Sequence, residues 1–202
     1  MSLGLFIFWL ALSYLCGALP WSVWLGKAIF GVDPRAQPDR NPGAANAFRA
    51  AGWRLGAVVL ALDFLKACVP VAAAQWLAGF QGEQLMWIAL MPTVGHAFSI
   101  FLRFRGGRGI TVMFGVWAGL TLYHIPLVMG LTALAATAVL KRDEARSLSI
   151  PLVLIAYLLL THAPGWMVFL ASAQLAVLAL KIGVYLAQRR ALERTSAESG
   201  AG

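Results

Sequence analysis

The chain has 202 residues, 60% of them hydrophobic and only 12% charged, with a mean hydropathy of +0.77. A soluble domain carries about 25% charged residues, so the composition excludes a polar-covered soluble domain, a disordered polymer, a coiled coil and a secreted disulfide scaffold. Sixteen Lys and Arg against eight Asp and Glu give a net charge of +8, which in a membrane chain first reports which loops face the cytoplasm.

A spanning helix needs about 20 apolar residues at about 1.5 Å rise each. The apolar runs, in chain order, are Leu3 to Phe30, Leu55 to Leu77, Leu85 to Leu102, Ile110 to Leu140, Leu148 to Leu160 and Trp166 to Ala187. The start, Met1 to Cys16, lacks the basic n-region of a signal sequence and is read as a retained first membrane helix. The fourth run is too long for one crossing, and Pro126 near its middle predicts a split into Ile110 to Tyr123 and Ile125 to Leu140. The expected fold is therefore an all-α polytopic bundle of about seven transmembrane helices. It forms one integral-membrane domain over residues 1–190, followed by a cytoplasmic tail, 191–202, expected to lack structure.

Charge tests that count, because segments between true crossings alternate between basic and non-basic. Thirteen of the sixteen basic residues fall in Gly31 to Arg54, Arg103 to Arg108, Lys141 to Arg146 and Arg189 to Arg194. The intervening segments, around Gln81 to Gln84, His124 and Thr161 to Gly165, hold no Lys or Arg. This places the N-terminus outside, the C-terminus in the cytoplasm and the basic loops on the cytoplasmic face. Eight tryptophans, mostly near run ends, are read as interfacial anchors rather than base-stacking platforms, so no nucleic-acid partner is expected. Cys16 and Cys68 lie inside apolar runs with no C-x-x-C and are read as small buried apolar side chains.

Two basic segments carry the chemistry. The first contains N-P-G-A-A-N-A-F-R from Asn41 to Arg49, where small residues permit close approach, two amides can donate and Arg49 offers a fork suited to phosphate. The second, Arg103 to Gly109, interleaves three arginines with three glycines just before a helix start at Ile110. Open backbone amides, positive side chains and a helix N-terminus are what an anion site requires. Within the spans, Asp63 and Lys66 share one helix face and are expected to pair toward the bundle interior, since each ion alone would cost about 2.5–3.5 kcal/mol at mid-bilayer. His96 is suited to relaying a proton or hydrogen-bonding a substrate oxygen. Without a second ligand at metal spacing, it marks no metal site. There is no G-x-S-x-G, H-x-x-x-x-D or P-loop, so catalysis would rest on positioning and charge stabilisation, with no cofactor.

These residues resemble a known family. Y-L-C-G-A-L-P-W from Tyr14, L-G-K from Leu25, G-V-D-P-R from Gly31, N-P-G-A-A-N-A-F-R from Asn41, D-F-L-K from Asp63 and G-H-A-F-S-I-F-L-R-F-R-G-G-R-G-I-T from Gly95 are similar to the motifs of the bacterial PlsY family. Its members are acyl-phosphate-dependent glycerol-3-phosphate acyltransferases. The resemblance implies transfer of an acyl chain from acyl phosphate to glycerol 3-phosphate, forming lysophosphatidic acid in phospholipid biosynthesis at the cytoplasmic face of the cell membrane. It implies catalytic roles for His96, Asn46 and Arg108, and phosphate binding by Asn41, Gly43, Arg49, Arg105, Gly106, Gly107 and Gly109. The partners implied are the two substrates and membrane lipid, and a substrate phosphate could itself take the hydroxyl proton.

Four features depart from the family pattern. Arg105 and Arg108 stand where lysines are usual, Asp39-Arg40 replaces Ser-Gly, Ala18 replaces a Ser, and the C-terminal motif is not recognisable in Gln188 to Glu198. An active site would need Asp39 turned away or paired, most simply with Arg40 or Arg35. Two other readings stay open from the residues: a non-catalytic relative binding a phosphorylated ligand, and a small anion transporter using Asp63, Lys66 and His96.

Overall fold

The computed structural model describes the backbone of residues 2–199 and the side chains of residues 2–191. With no water in a bilayer core to satisfy backbone groups, helices are the natural solution for so apolar a chain. Among the described residues the regular structure is entirely helical. The elements are α1 (Leu3–Ala18), α2 (Trp21–Phe30), α3 (Ala44–Ala72), α4 (Gly82–Ala97), α5 (Ile110–Thr121), α6 (His124–Val139), α7 (Asp143–Leu160) and α8 (Gly165–Ser199). A π turn, Ala73–Leu77, prolongs α3, and 3-10 turns occur at Pro34–Ala36 and Ile100–Leu102.

The helix breaks refine the expected boundaries. The first apolar run is not one rod: α1 and α2 bend by 40° at Leu19-Pro20, because Pro20 offers no N–H to continue the ladder. The fourth run does divide, but at Leu122-Tyr123, where Leu122 takes φ 57. Pro126 instead sits in the first turn of α6, where a missing N–H costs nothing because that amide has no intrahelical acceptor. The segment Gly31 to Arg54 is not all loop either. Helix begins at Ala44 and is interrupted at Ala51 and Gly52, the latter at φ 71, so Asn46 and Arg49 share one face of a short helical stretch. At the other end, α8 continues as helical backbone to Ser199 across most of the segment whose composition predicts no structure. Ala191, Leu192, Glu193 and Arg194 are good helix formers, and 200–202 lie outside the described residues.

Among the described residues three stretches are long and apolar enough to cross a membrane, Ala44–Leu77, Gly82–Leu102 and Gly165–Ala191, or four if α1 with α2 forms one bent span. Helices α5 and α6 are shorter apolar elements; twelve residues of α5 reach about 18 Å against a hydrocarbon core of about 30 Å.

Close helix approach builds the bundle where lipid supplies no hydrophobic drive. Helix α4 lies against α1 and α5 against α3. A Cβ at Gly95 would overlap the Tyr14 carbonyl, and one at Gly115 would overlap the Phe64 carbonyl. A buried polar relay links α4, α5 and α8: Trp117 Nε1 donates to Gln174 Oε1 at 2.8 Å, and Gln174 Nε2 donates to Thr93 Oγ1 at 3.1 Å. Trp117 is therefore a core residue rather than an interfacial anchor, and Cys16 and Cys68 are free and half-buried.

Candidate active site

Residues from both basic segments meet at Asp39. Its carboxylate receives the side-chain amide of Asn46 and the backbone N–H of Asn41, at 3.3 Å for the latter. It pairs with Arg108 at 3.2 Å and faces Arg49 at 3.9 Å. Asn46 Oδ1 accepts from Arg49 at 2.8 Å, and Asn46 Nδ2 donates also to the Asn41 carbonyl at 2.9 Å. Asn41 Oδ1 in turn accepts the Arg108 backbone N–H at 3.1 Å, which ties the first motif to the second across 67 positions. Asp39 is thus paired, but with Arg108 and Arg49. Arg35 is engaged by Asp33 at 2.7 Å, with Lys27 at 3.3 Å on the same carboxylate. Hydrogen bonding from Arg35 holds the Asp33 carboxyl well below the usual carboxylate range despite partial burial, with Lys27 adding to the effect.

The Gly106 and Gly107 amides, expected to lie open to a ligand, donate to the Ala97 and His96 carbonyls at 3.1 Å each. These glycines serve close packing of the loop on the end of α4: a Cβ at Gly106 would overlap the His96 carbonyl, and one at Gly107 would lie 2.5 Å from His96 Nε2 and 2.9 Å from Asn41 Oδ1. Gly43 precedes the first turn of α3, and Gly109, at φ 82, precedes α5. Arg105 is exposed and stands apart from the Asp39 cluster.

Beneath this lies a second, buried cluster. Lys66 Nζ is 2.7 Å from Asp63 Oδ1, donates to the Leu19 carbonyl at 2.8 Å and is 3.0 Å from His96 Nδ1. The pairing of Asp63 with Lys66 follows from their spacing; the contact with His96, thirty positions on, does not.

Two cavities share Asp39, Asn41 and Arg108 as a common wall. The larger, of about 970 Å³, is ringed by arginines including Arg35, Arg40, Arg103 and Arg105, and by Lys181 and Tyr185 of α8. The smaller, of about 470 Å³, reaches Arg49, Arg146, His96 and Gly109 and is apolar along Leu60, Ile110, Ala133 and Ile150. Sequence reasoning overlooked Lys181 and Tyr185. Lys181 donates to the Ala97 carbonyl at 3.0 Å, and the Arg108 guanidinium lies 5.0 Å from the Tyr185 ring centre. A lysine inside the last apolar run was the available signal, since intramembrane charge marks function by default, and Tyr185 follows one helical turn later. Arg146 and Ser147, which line the smaller cavity, carried no motif.

A polytopic helical bundle with a cationic double cavity is the class that fold and site define. The chain belongs to the glycerol-3-phosphate acyltransferase family, whose model matches residues 7–195. It is similar to glycerol-3-phosphate acyltransferase 1 of Thermotoga maritima, 35% identical over 178 residues, covering 85% of this chain and 87% of that one. A shorter match to the glycerol-3-phosphate acyltransferase of Anaeromyxobacter sp. is 43% identical over 110 residues, 53% of this chain and 54% of that one. Among solved structures, it is similar to PlsY (YgiH), an integral membrane glycerol 3-phosphate acyltransferase. The glycerol 3-phosphate form matches with TM-score 0.80 and 25% identity, covering 96% of this chain and 92% of that one. The lysophosphatidic acid form of that protein matches with TM-score 0.78 at 23% identity.

Proposed function

We propose that this chain transfers an acyl group from an acyl phosphate to glycerol 3-phosphate, yielding lysophosphatidic acid and inorganic phosphate. The observation that carries the reading is the common wall. Donors from two distant motifs, Asn41, Asn46, Arg49 and Arg108, converge on one carboxylate, Asp39, between an arginine-ringed cavity and a partly apolar one. Such a wall can hold an anionic acceptor on one side and the head of an acyl donor on the other. The acceptor hydroxyl oxygen attacks the acyl carbon, the acyl carbon–phosphate oxygen bond breaks, and phosphate leaves with the electron pair and takes the hydroxyl proton. No protein nucleophile is needed. Arg49 and Arg108 bind phosphate oxygens as charge-assisted donors, Asn46 holds the Arg49 guanidinium and Asn41 the Arg108 backbone N–H, and His96 lines the smaller cavity with them.

Purified protein incubated with acyl phosphate and labelled glycerol 3-phosphate is expected to form labelled lysophosphatidic acid. Absence of transfer together with absence of glycerol 3-phosphate binding would overturn the reading.

The same reading places seven crossings in the membrane, the N-terminus outside and the common wall on the cytoplasmic face, supported by the absence of Lys and Arg from the three segments assigned outside. In a background lacking Cys16 and Cys68, single cysteines replacing Gln81 and Gly165 should react with an impermeant thiol reagent in intact cells, and one replacing Ala145 should not. Labelling at 145 would reverse the orientation or change the count.

A further inference from the structure

We infer that Lys66 is a positioning residue that holds His96 as the neutral ring with its proton on Nε2, making His96 a hydrogen-bond donor to a substrate oxygen and not a base. The argument is one of donors and acceptors. An ammonium group has three N–H donors and no acceptor, and Lys66 has three partners: the Asp63 carboxylate, the Leu19 carbonyl and His96 Nδ1. Two of these are oxygens that can only accept, so Nδ1 must accept as well. A neutral imidazole that accepts at one nitrogen carries its proton on the other.

Nε2 therefore donates, and its surroundings fit that role. It faces the gap left by the missing side chain of Gly107, beside Asn41 Oδ1, and His96 lines the smaller cavity together with Arg49 and Arg108. Removing a proton from a substrate would require a lone pair on Nε2, hence a proton on Nδ1 pointing at the ammonium. The proton-relay role open to a histidine in sequence is thereby closed, and the hydrogen-bonding role remains. Asp63 is the third member: its carboxylate pairs with Lys66 at 3% side-chain exposure for both, which fixes the lysine that fixes the ring.

The donor role rests on the acyltransferase reading; the tautomer does not. The first measurement is therefore independent of turnover. Nitrogen-15 NMR of histidine-labelled wild-type protein in nanodiscs at neutral pH, with the His96 signals assigned by comparison with His96→Gln, should show Nδ1 unprotonated and Nε2 protonated. A protonated Nδ1, in either the other tautomer or the imidazolium, overturns the proposal. The second measurement is acyl transfer. Gln can accept from Lys66 through Oε1 and donate through Nε2 but cannot serve as a base, whereas Leu does neither. His96→Leu is expected to lower kcat about a hundredfold, the scale of a lost transition-state donor, and His96→Gln to stay within about tenfold of wild type with KM little changed. Gln no better than Leu, in proteins that both insert and bind glycerol 3-phosphate, would overturn the donor role. An Asp63→Asn/Lys66→Met variant should lose the single-tautomer signature; retention of it would remove Lys66 as its cause.

Discussion

The two charged clusters of this bundle are built from the same groups, a carboxylate, cations and side-chain hydrogen bonds, yet they are physically opposite. In the inner one, Asp63 and Lys66 are each 3% exposed and every ammonium donor is matched. In the outer one, Asp39 and Arg108 are 14% and 15% exposed and Arg49 is 52% exposed. The Arg49 contact, long and half-exposed, is screened and worth little, and the Asp39–Arg108 pair borders two cavities, so the outer partners can be exchanged for a ligand at smaller cost than the inner ones. A buried pair cannot be opened without leaving an ion stranded in a medium of low dielectric. The inner cluster thus acts as a fixed frame and the outer one as a replaceable set of contacts.

The sharpest way to break that contrast is to remove one member of the frame. Lys66→Met leaves Asp63 as an unpaired buried carboxylate and should destabilise the protein by about 3–5 kcal/mol, read as a fall in unfolding midpoint in detergent. Asp63→Asn/Lys66→Met removes both charges and should recover most of that loss. If the single variant is no less stable than the double one, the pair is not the fixed element described.

Next in size is the outer cluster, measured on activity. Arg108→Ala should lower kcat/KM ten- to a hundredfold, matching a charged hydrogen bond of about 1.5–3 kcal/mol, with stability changed little. Arg49, more exposed and 3.9 Å from Asp39, should lose about tenfold or less. Smaller still is Asp39→Ser, which frees both guanidinium groups from their internal carboxylate. A carboxylate about 4 Å from a phosphate repels it by about 1 kcal/mol in water and more at lower dielectric. KM for glycerol 3-phosphate is therefore expected to fall a few-fold while kcat stays within a few-fold. A rise in KM would mean that Asp39 holds the arginines in place, and the outer cluster would then be a frame as well.

How much of this was legible in the sequence follows from distance along the chain. Asp63 and Lys66 are three apart and on a helix must share a face, so their pairing could be read from spacing alone. The two motifs carrying Asn41, Asn46, Arg49 and Arg108 were legible as residue types suited to anions, and their resemblance to an acyltransferase family led to the family that the chain belongs to. Contacts made by tertiary packing were not legible. Asp39 bypasses its neighbours Arg40 and Arg35 for Arg108, 69 positions away. The Gly106 and Gly107 amides turn to α4 because the loop folds back on the residues it follows. The helix break at Pro20 had a local signal, but hydropathy outweighed it: an apolar run reads as continuous whether or not its backbone is.

The smallest expected effect isolates backbone from charge at the edge of the outer cluster. Arg40 takes φ 48, a left-handed conformation that costs a side-chain-bearing L residue about 1–2 kcal/mol, at a position where the related family has glycine. Its N–H still donates to the Gln37 carbonyl at 2.8 Å, so the turn is held while the side chain projects, exposed, toward the larger cavity. Arg40→Gly removes the Cβ conflict but adds freedom to the unfolded chain, which leaves a net gain of about 1 kcal/mol or less. Arg40→Ala keeps the conflict and should give no gain. With the pairing of Asp39 to Arg108 untouched in both, acyl transfer should stay within about twofold of wild type. Were both variants to lose activity about tenfold, the charge at position 40 would belong to the substrate site. Were Ala and Gly equally stabilising, relief of charge crowding among Arg40, Arg103 and Arg105, and not the backbone, would be the cause.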